Sequence, residues 1–259
     1  MAPRPFSLVK WYLDVVTQEG DTAILYCAAL RWRGLRTAMA SLLTAESGRV
    51  LTQTSLSRFR LDADEKQIAV ECRALKAVGR WIADAKSVER CIYASAAGSV
   101  VWNCLQPRSR VAARIDGREM TGLGYAECLT LTLPPWKLPM QELRWGRFVS
   151  ERDSLAWIDW QGEHAARLCI LNEYECELRS VRESELAMDG AALHMERSVT
   201  LREGRLGDTI LPGAPALARL FPRSLFSVAE GKWLSHGRLE RVGGGSTGYA
   251  IHEVVHWKP

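Results

Sequence analysis

A chain of 259 residues can bury one large core or two of ordinary size, and 47% hydrophobic with 25% charged residues is near the globular average, which excludes wholesale disorder or a fibrous protein. The 34 lysines and arginines against 30 aspartates and glutamates leave a net charge of +4, with no dense basic run to track a phosphate backbone, so no nucleic acid partner is expected. Seven cysteines without CxxC spacing read as reduced, mostly buried small hydrophobes, and the ten tryptophans suit either a large core or an aromatic cavity.

The chain opens Met1-Ala2-Pro3-Arg4-Pro5-Phe6, with no apolar signal region, and no stretch reaches membrane-spanning length; a cytoplasmic location is the expectation. Period-two alternation then recurs and long helical periodicity is scarce, which gives an all-β chain. The clearest strands are Lys10–Thr17, Ala23–Trp32, Ser99–Leu105, Arg110–Ile115, Gly124–Leu133, Ser154–Trp160, His164–Leu171, Leu193–Leu201, Lys232–Arg241 and Gly248–Trp257. Turns fall at Glu19-Gly20-Asp21, Asp116-Gly117, Gln161-Gly162 and Gly243-Gly244-Gly245. The helix candidates are Asp84–Arg90 and Pro215–Leu220.

Leu133-Pro134-Pro135-Trp136-Lys137-Leu138-Pro139 stops a strand, because proline cannot donate to a ladder. It divides the chain into two halves, 1–135 and 136–259. Each half starts on a Trp-containing strand (Lys10-Trp11-Tyr12; Arg144-Trp145-Gly146) and ends on a Gly-Tyr-Ala strand (Gly124-Tyr125-Ala126; Gly248-Tyr249-Ala250), which points to a duplicated β unit.

Carboxylates among apolar neighbours are the chemical signal. In Gly124–Leu133, alternation puts Glu127 on the face of Tyr125, Leu129, Leu131 and Leu133. A carboxyl there loses hydration and stays protonated, as a general acid requires; an arginine partner or a strand end open to water would make it structural instead. Asp159 shares a face with Leu155 and Trp157 but precedes a turn, where Asp is common. Asp14 lies with Tyr12 and Val16, and Glu253 with Tyr249, Ile251, Val255 and Trp257. Among the five histidines, His252 and His256 are four apart on a strand, about 13 Å by strand rise, too far to share a metal. No metal and no cofactor are expected.

The runs Val101-Trp102-Asn103-Cys104-Leu105-Gln106-Pro107, Gly122-Leu123-Gly124-Tyr125-Ala126-Glu127 and Leu143-Arg144-Trp145-Gly146-Arg147-Phe148 resemble, in that order, the core of the carotenoid 1,2-hydratases (hydroxyneurosporene synthases). Trp157-Ile158-Asp159 is similar to that family's strand ending in Asp, and Lys10-Trp11-Tyr12-Leu13-Asp14 to the opening shared with tocopherol cyclase and the lipocalin-like Diels-Alderases. The resemblance implies two lipocalin-like antiparallel barrel or sandwich halves. It also implies an acid that protonates a carbon–carbon double bond, the cation being captured by water or an internal nucleophile. By motif position Glu127 takes that role, one methylene longer than the family's usual Asp, with Tyr125 and Trp102 as aromatic neighbours able to steady a cation and Asp159 as a second acid. Trp11, Tyr12, Asp14, Trp145 and Trp157 would line an apolar pocket for a terpenoid, carotenoid-like or other polyene substrate. A lipocalin-like carrier without chemistry, and a pericyclase that only holds a polyene in a reactive shape, are the other readings. Peripheral membrane contact is left open.

Overall fold

Proline punctuation and continuous alternation yield two antiparallel sheets in the computed structural model, which describes residues 6–209 and 222–257. The chain divides into two compact units, Met1–Leu138 and Pro139–Pro259. The first holds β1 (Phe6–Val16), β2 (Thr22–Trp32), β3 (Leu35–Glu46), β4 (Arg49–Ser55), β5 (Arg60–Ala63), β6 (Gln67–Cys72), β7 (Ala77–Ala83), β8 (Val88–Ser95), β9 (Gly98–Ile115) and β10 (Arg118–Leu131). The second holds β11 (Met140–Val149), β12 (Ser154–Gly162), β13 (Ala166–Leu171), β14 (Tyr174–Glu175), β15 (Leu178–Val181), β16 (Glu185–Met188), β17 (Ala191–Arg205), β18 (Ala229–Arg241) and β19 (Gly244–His256). Among the described residues, the single-turn helices α1 (Leu206–Thr209) and α2 (Arg223–Phe226) lie between β17 and β18. Among the described residues no helix is long and apolar enough to cross a membrane.

Each sheet runs outward from a central pair made by its first and last strands. The orders are β4-β3-β2-β1-β10-β9-β7-β6-β5 and β14-β13-β12-β11-β19-β18-β17-β16-β15, so one path is repeated, with β8 the addition in the first unit. The glycines of the two Gly-Tyr-Ala motifs occupy equivalent positions. A Cβ on Gly124 would lie 2.2 Å from the Asp14 carbonyl oxygen, and one on Gly248 would lie 2.2 Å from that of Val149.

One face of each sheet encloses a core. In the first unit Leu13, Val15, Leu25, Leu42, Ile68, Val70, Trp81, Val111 and Met120 pack together, and the Trp81 indole donates to the Asp14 carbonyl at 2.7 Å. The space left beside Leu13, Leu42 and Trp81 is about 10 Å³, room for no more than one water. In the second unit Phe148, Leu155, Trp157, Leu186, Leu193, Met195 and Leu239 do the same.

Two features differ from the expectation. Asp84–Arg90 is not helical: the chain bends after β7, and Val88–Ser95 pairs with β9 along Gly98–Cys104. A two-turn helix lacks the length to repay its nucleation, whereas β9 offers an unpaired edge there. The expected strands Ser99–Leu105 and Arg110–Ile115 are one 18-residue strand, β9, in which Pro107 sits at a bulge opposite Gly124–Glu127. The Pro215–Leu220 helix lies outside the described residues.

Candidate active site

The two bulges between Cys104 and Ser109 shift β9 against β10 by two residues and so preserve its side-chain phase, and Trp102 and Cys104 stand on the same face as Glu127 and Leu129. β1 pairs with the other edge of β10 without a shift, setting Tyr12 opposite Glu127 and Asp14 opposite Tyr125. β2 adds Tyr26 opposite Tyr12. This face, opposite the first unit's packed core, carries Tyr12, Asp14, Tyr26, Trp102, Cys104, Tyr125 and Glu127.

Three side chains converge. The Trp102 indole N–H donates to Glu127 Oε2 at 2.6 Å, and the Tyr125 hydroxyl donates to the same oxygen at 2.7 Å. Trp102 is 1% exposed and Tyr125 fully buried, while Glu127 retains partial exposure. Burial, with Cys104 and Glu127 adding to it, pushes the Tyr125 phenol well above its ordinary range, so it acts as a neutral donor. Burial likewise raises the Cys104 thiol, which stays protonated beside Tyr125. Tyr12 stands edge-on to Tyr125, ring centres 6.0 Å apart, and to Tyr26 at 5.4 Å, and the Lys10 ammonium lies 5.2 Å from the Tyr26 ring.

The structure thus brings together Glu127, Tyr125, Trp102, Tyr12 and Asp14 on one face of the first unit, while Trp145, Trp157 and Asp159 belong to the second. Trp11 points to the opposite face of β1 and packs against the first unit's core. Trp157 lies in the second unit's core, its ring filling the space where a Gly146 side chain would be. The two Trp-containing openings are out of phase: the shared glycine contacts make Trp11 the counterpart of Gly146, so Trp145 faces away from its core. Asp159, 3% exposed, is held by Arg167 at 3.1 Å and Gln161 at 3.2 Å.

Alternation singled out Asp159 and Glu253 in the second unit but not the buried charged residues Lys232, Arg202, Glu230 and Arg147. Lys232, 1% exposed, pairs with Glu253 and lies 5.1 Å from the Trp145 ring. Arg202 and Glu230 form a buried pair at 3.2 Å, and Arg147 donates to the Tyr249 carbonyl at 2.7 Å. The alternation Glu230-Gly231-Lys232-Trp233 is the available signal, but it reads equally as a solvated strand face.

No family model matches the sequence, and no curated protein matches it. Solved structures do match in fold. A candidate AttH from Nitrosomonas europaea superposes over 100% of this chain and 95% of its own, with a TM-score of 0.62 at 8% identity. CghA with Sch210972 covers 98% of this chain and 89% of its own (TM-score 0.57, 10% identity). Kievitone hydratase from Nectria haematococca covers 96% and 88% (TM-score 0.56, 10% identity). The fold is all-β and lipocalin-like.

Proposed function

We propose that the protein is a cofactor-independent enzyme that protonates a carbon–carbon double bond of an apolar isoprenoid or polyene, with Glu127 as the acid and hydration or cyclisation of the resulting cation as the outcome. The observation that carries this reading is the convergence of two buried donors on one carboxylate oxygen. With Oε2 accepting from Trp102 and Tyr125, the proton of the neutral acid belongs on Oε1. As that proton passes to the alkene, negative charge develops on the carboxylate, and both hydrogen bonds strengthen in the transition state, which is where an interaction accelerates a reaction. The aromatic rings of Tyr12 and Tyr26 on the same face favour the cation formed on the substrate. A fold shared with a kievitone hydratase is in keeping with hydration. A carrier that encloses its ligand in the first unit's packed core is disfavoured by the space of only about 10 Å³ left beside Leu13, Leu42 and Trp81.

The test is incubation in D₂O with a panel of isoprenoid and polyene alkenes. Deuterium fixed on carbon in a hydrated or cyclised product, lost in Glu127→Gln, supports the reading. Binding without conversion, equal in both proteins, makes it a carrier; conversion without deuterium uptake and unchanged in the variant makes it a pericyclase.

A further inference from the structure

β13 and β14 are joined by Asn172 and Glu173, both with positive φ (49° and 75°), a two-residue turn that sets Leu171 opposite Tyr174. Two steps further along, the same register places Cys169 opposite Cys176, and the Cys176 amide donates to the Cys169 carbonyl at 2.9 Å. Such a directly opposed pair has a Cα separation of about 5.5 Å, inside the range a disulfide spans. The thiols already meet: the two Sγ atoms are 3.3 Å apart, with Met188 Sδ 3.8 Å beyond Cys169. Their environments differ. Cys169 is fully buried in the second unit's core, whereas Cys176 is partly exposed at its edge.

We propose that Cys169 and Cys176 are a redox-active thiol pair, a modification site at which the partly exposed Cys176 reacts with a low-molecular-weight disulfide and the buried Cys169 resolves the product into an intramolecular disulfide. In the first step the Cys176 thiolate attacks one sulfur of RSSR, forming the mixed disulfide Cys176–S–SR and releasing RS⁻. In the second, Cys169 loses its proton and its sulfur attacks Cys176 Sγ, forming the Cys169–Cys176 bond and releasing the second RS⁻. Two protein thiols are oxidised and one RSSR is reduced to two RSH. The chemistry is assigned by position. The hydrogen bond shared with Cys169 lowers the Cys176 thiol, while the Cys176 neighbour and burial raise that of Cys169, the ordering expected of an attacking and a resolving thiol. Closure would tie the open end of the β13–β14 hairpin, away from its turn, to the core, because Cys169 also stands opposite Trp157 on β12.

The native full-length chain is incubated with oxidised glutathione, quenched with an alkylating agent and digested with trypsin. Cleavage after Arg167 and Arg179 puts both cysteines on the peptide 168–179, so closure is read as a peptide lighter by two hydrogens and unalkylated. The exposed Cys91 serves as the internal comparison, retaining glutathione as a stable mixed disulfide. Cys169→Ser leaves Cys176 in that same trapped state. Wild-type protein in which Cys176 holds glutathione without closing, or in which Cys91 is modified while Cys176 stays reduced, overturns the proposal, and neither result depends on a variant folding.

Discussion

Glu127 draws its chemistry from what its two donors do to the distribution of charge. Gln at this position keeps the size and an acceptor for Trp102 and Tyr125 but has no proton to give. We expect Glu127→Gln to lower turnover by roughly 10²- to 10⁴-fold. Its thermal midpoint should stay within a few degrees of wild type, because an amide is no worse buried than an acid. A variant that turns over at the wild-type rate rules out Glu127 as the acid. Trp102→Phe and Tyr125→Phe each retain an aromatic body and remove one donor to Oε2. Each should reduce turnover about tenfold to a hundredfold, the scale of one hydrogen bond to a charged group at roughly 1.5–3 kcal/mol. Single-turnover rates for the two variants and their double mutant would show whether the donors act jointly; no effect from either removes them from the mechanism. Alternation alone places Glu127 and Tyr125 on one face, since they are two residues apart on a strand. Trp102 is 25 residues away, and its approach to Glu127 depends on how the β9 bulge sets the register, which only family resemblance could foreshadow. Lys232 was less legible still, because a charge beside an aromatic residue on a strand has the same pattern whether it is solvated or buried against its opposite; its partner Glu253 did stand out by alternation.

At the scale of elements, the central strand pair of each unit is the part that tolerates least change. The Gly124 position meets not only the Asp14 carbonyl but also Val111 Cγ2, at 2.5 Å from where a Cβ would be, and the Gly248 position meets the Val149 carbonyl and carbonyl carbon. Those neighbours are backbone atoms or core atoms that cannot swing aside. Gly124→Ala and Gly248→Ala should each therefore destabilise the fold by about 1–3 kcal/mol, the usual cost of overpacking. Thermal melts of the two variants are the measurement, and an unchanged midpoint in either means that its strand pair can separate more readily than the contacts imply. The repeated Gly-Tyr-Ala motif was visible because both strands need the same close approach. The repeated tryptophan was misleading for the opposite reason: a one-residue offset leaves the local sequence similar but reverses the face. The stretch Asp84–Arg90 failed to form its expected helix because the deciding interaction, the free edge of β9, lies outside the segment. Its own composition contains no trace of that partner.

For the whole molecule, acid sensitivity should be governed by a histidine that the spacing argument treated only as half of a failed metal pair. His252 and His256 share a strand as expected, yet their surroundings diverge: His256 is exposed, 3.1 Å from Glu142, whereas His252 is 4% exposed, its Nε2 2.9 Å from the Ser235 hydroxyl and its ring 5.4 Å from that of Trp233. Burial first, then the positive charges of Arg197 and Lys232, lower its pKa from 6.5 to about 4. The folded value lies below the unfolded one, so as pH falls through 6.5 the unfolded chain takes up a proton that the folded chain refuses. This contribution to stability is therefore complete above about pH 6.5, declines as pH falls, and stops changing below about pH 4. At pH 4.5 the loss amounts to about 2.5 kcal/mol relative to pH 7. Urea unfolding of wild type and His252→Gln at both pH values isolates it, because other titrating groups are common to the two proteins. Whatever the variant costs at pH 7, its deficit should shrink by about that amount at pH 4.5, in the transition that unfolds the second unit. Parallel pH dependence in the two proteins would mean that His252 takes up its proton in the folded state as readily as in the unfolded one, and the buried Ser235–His252 contact would then have no part in the acid response.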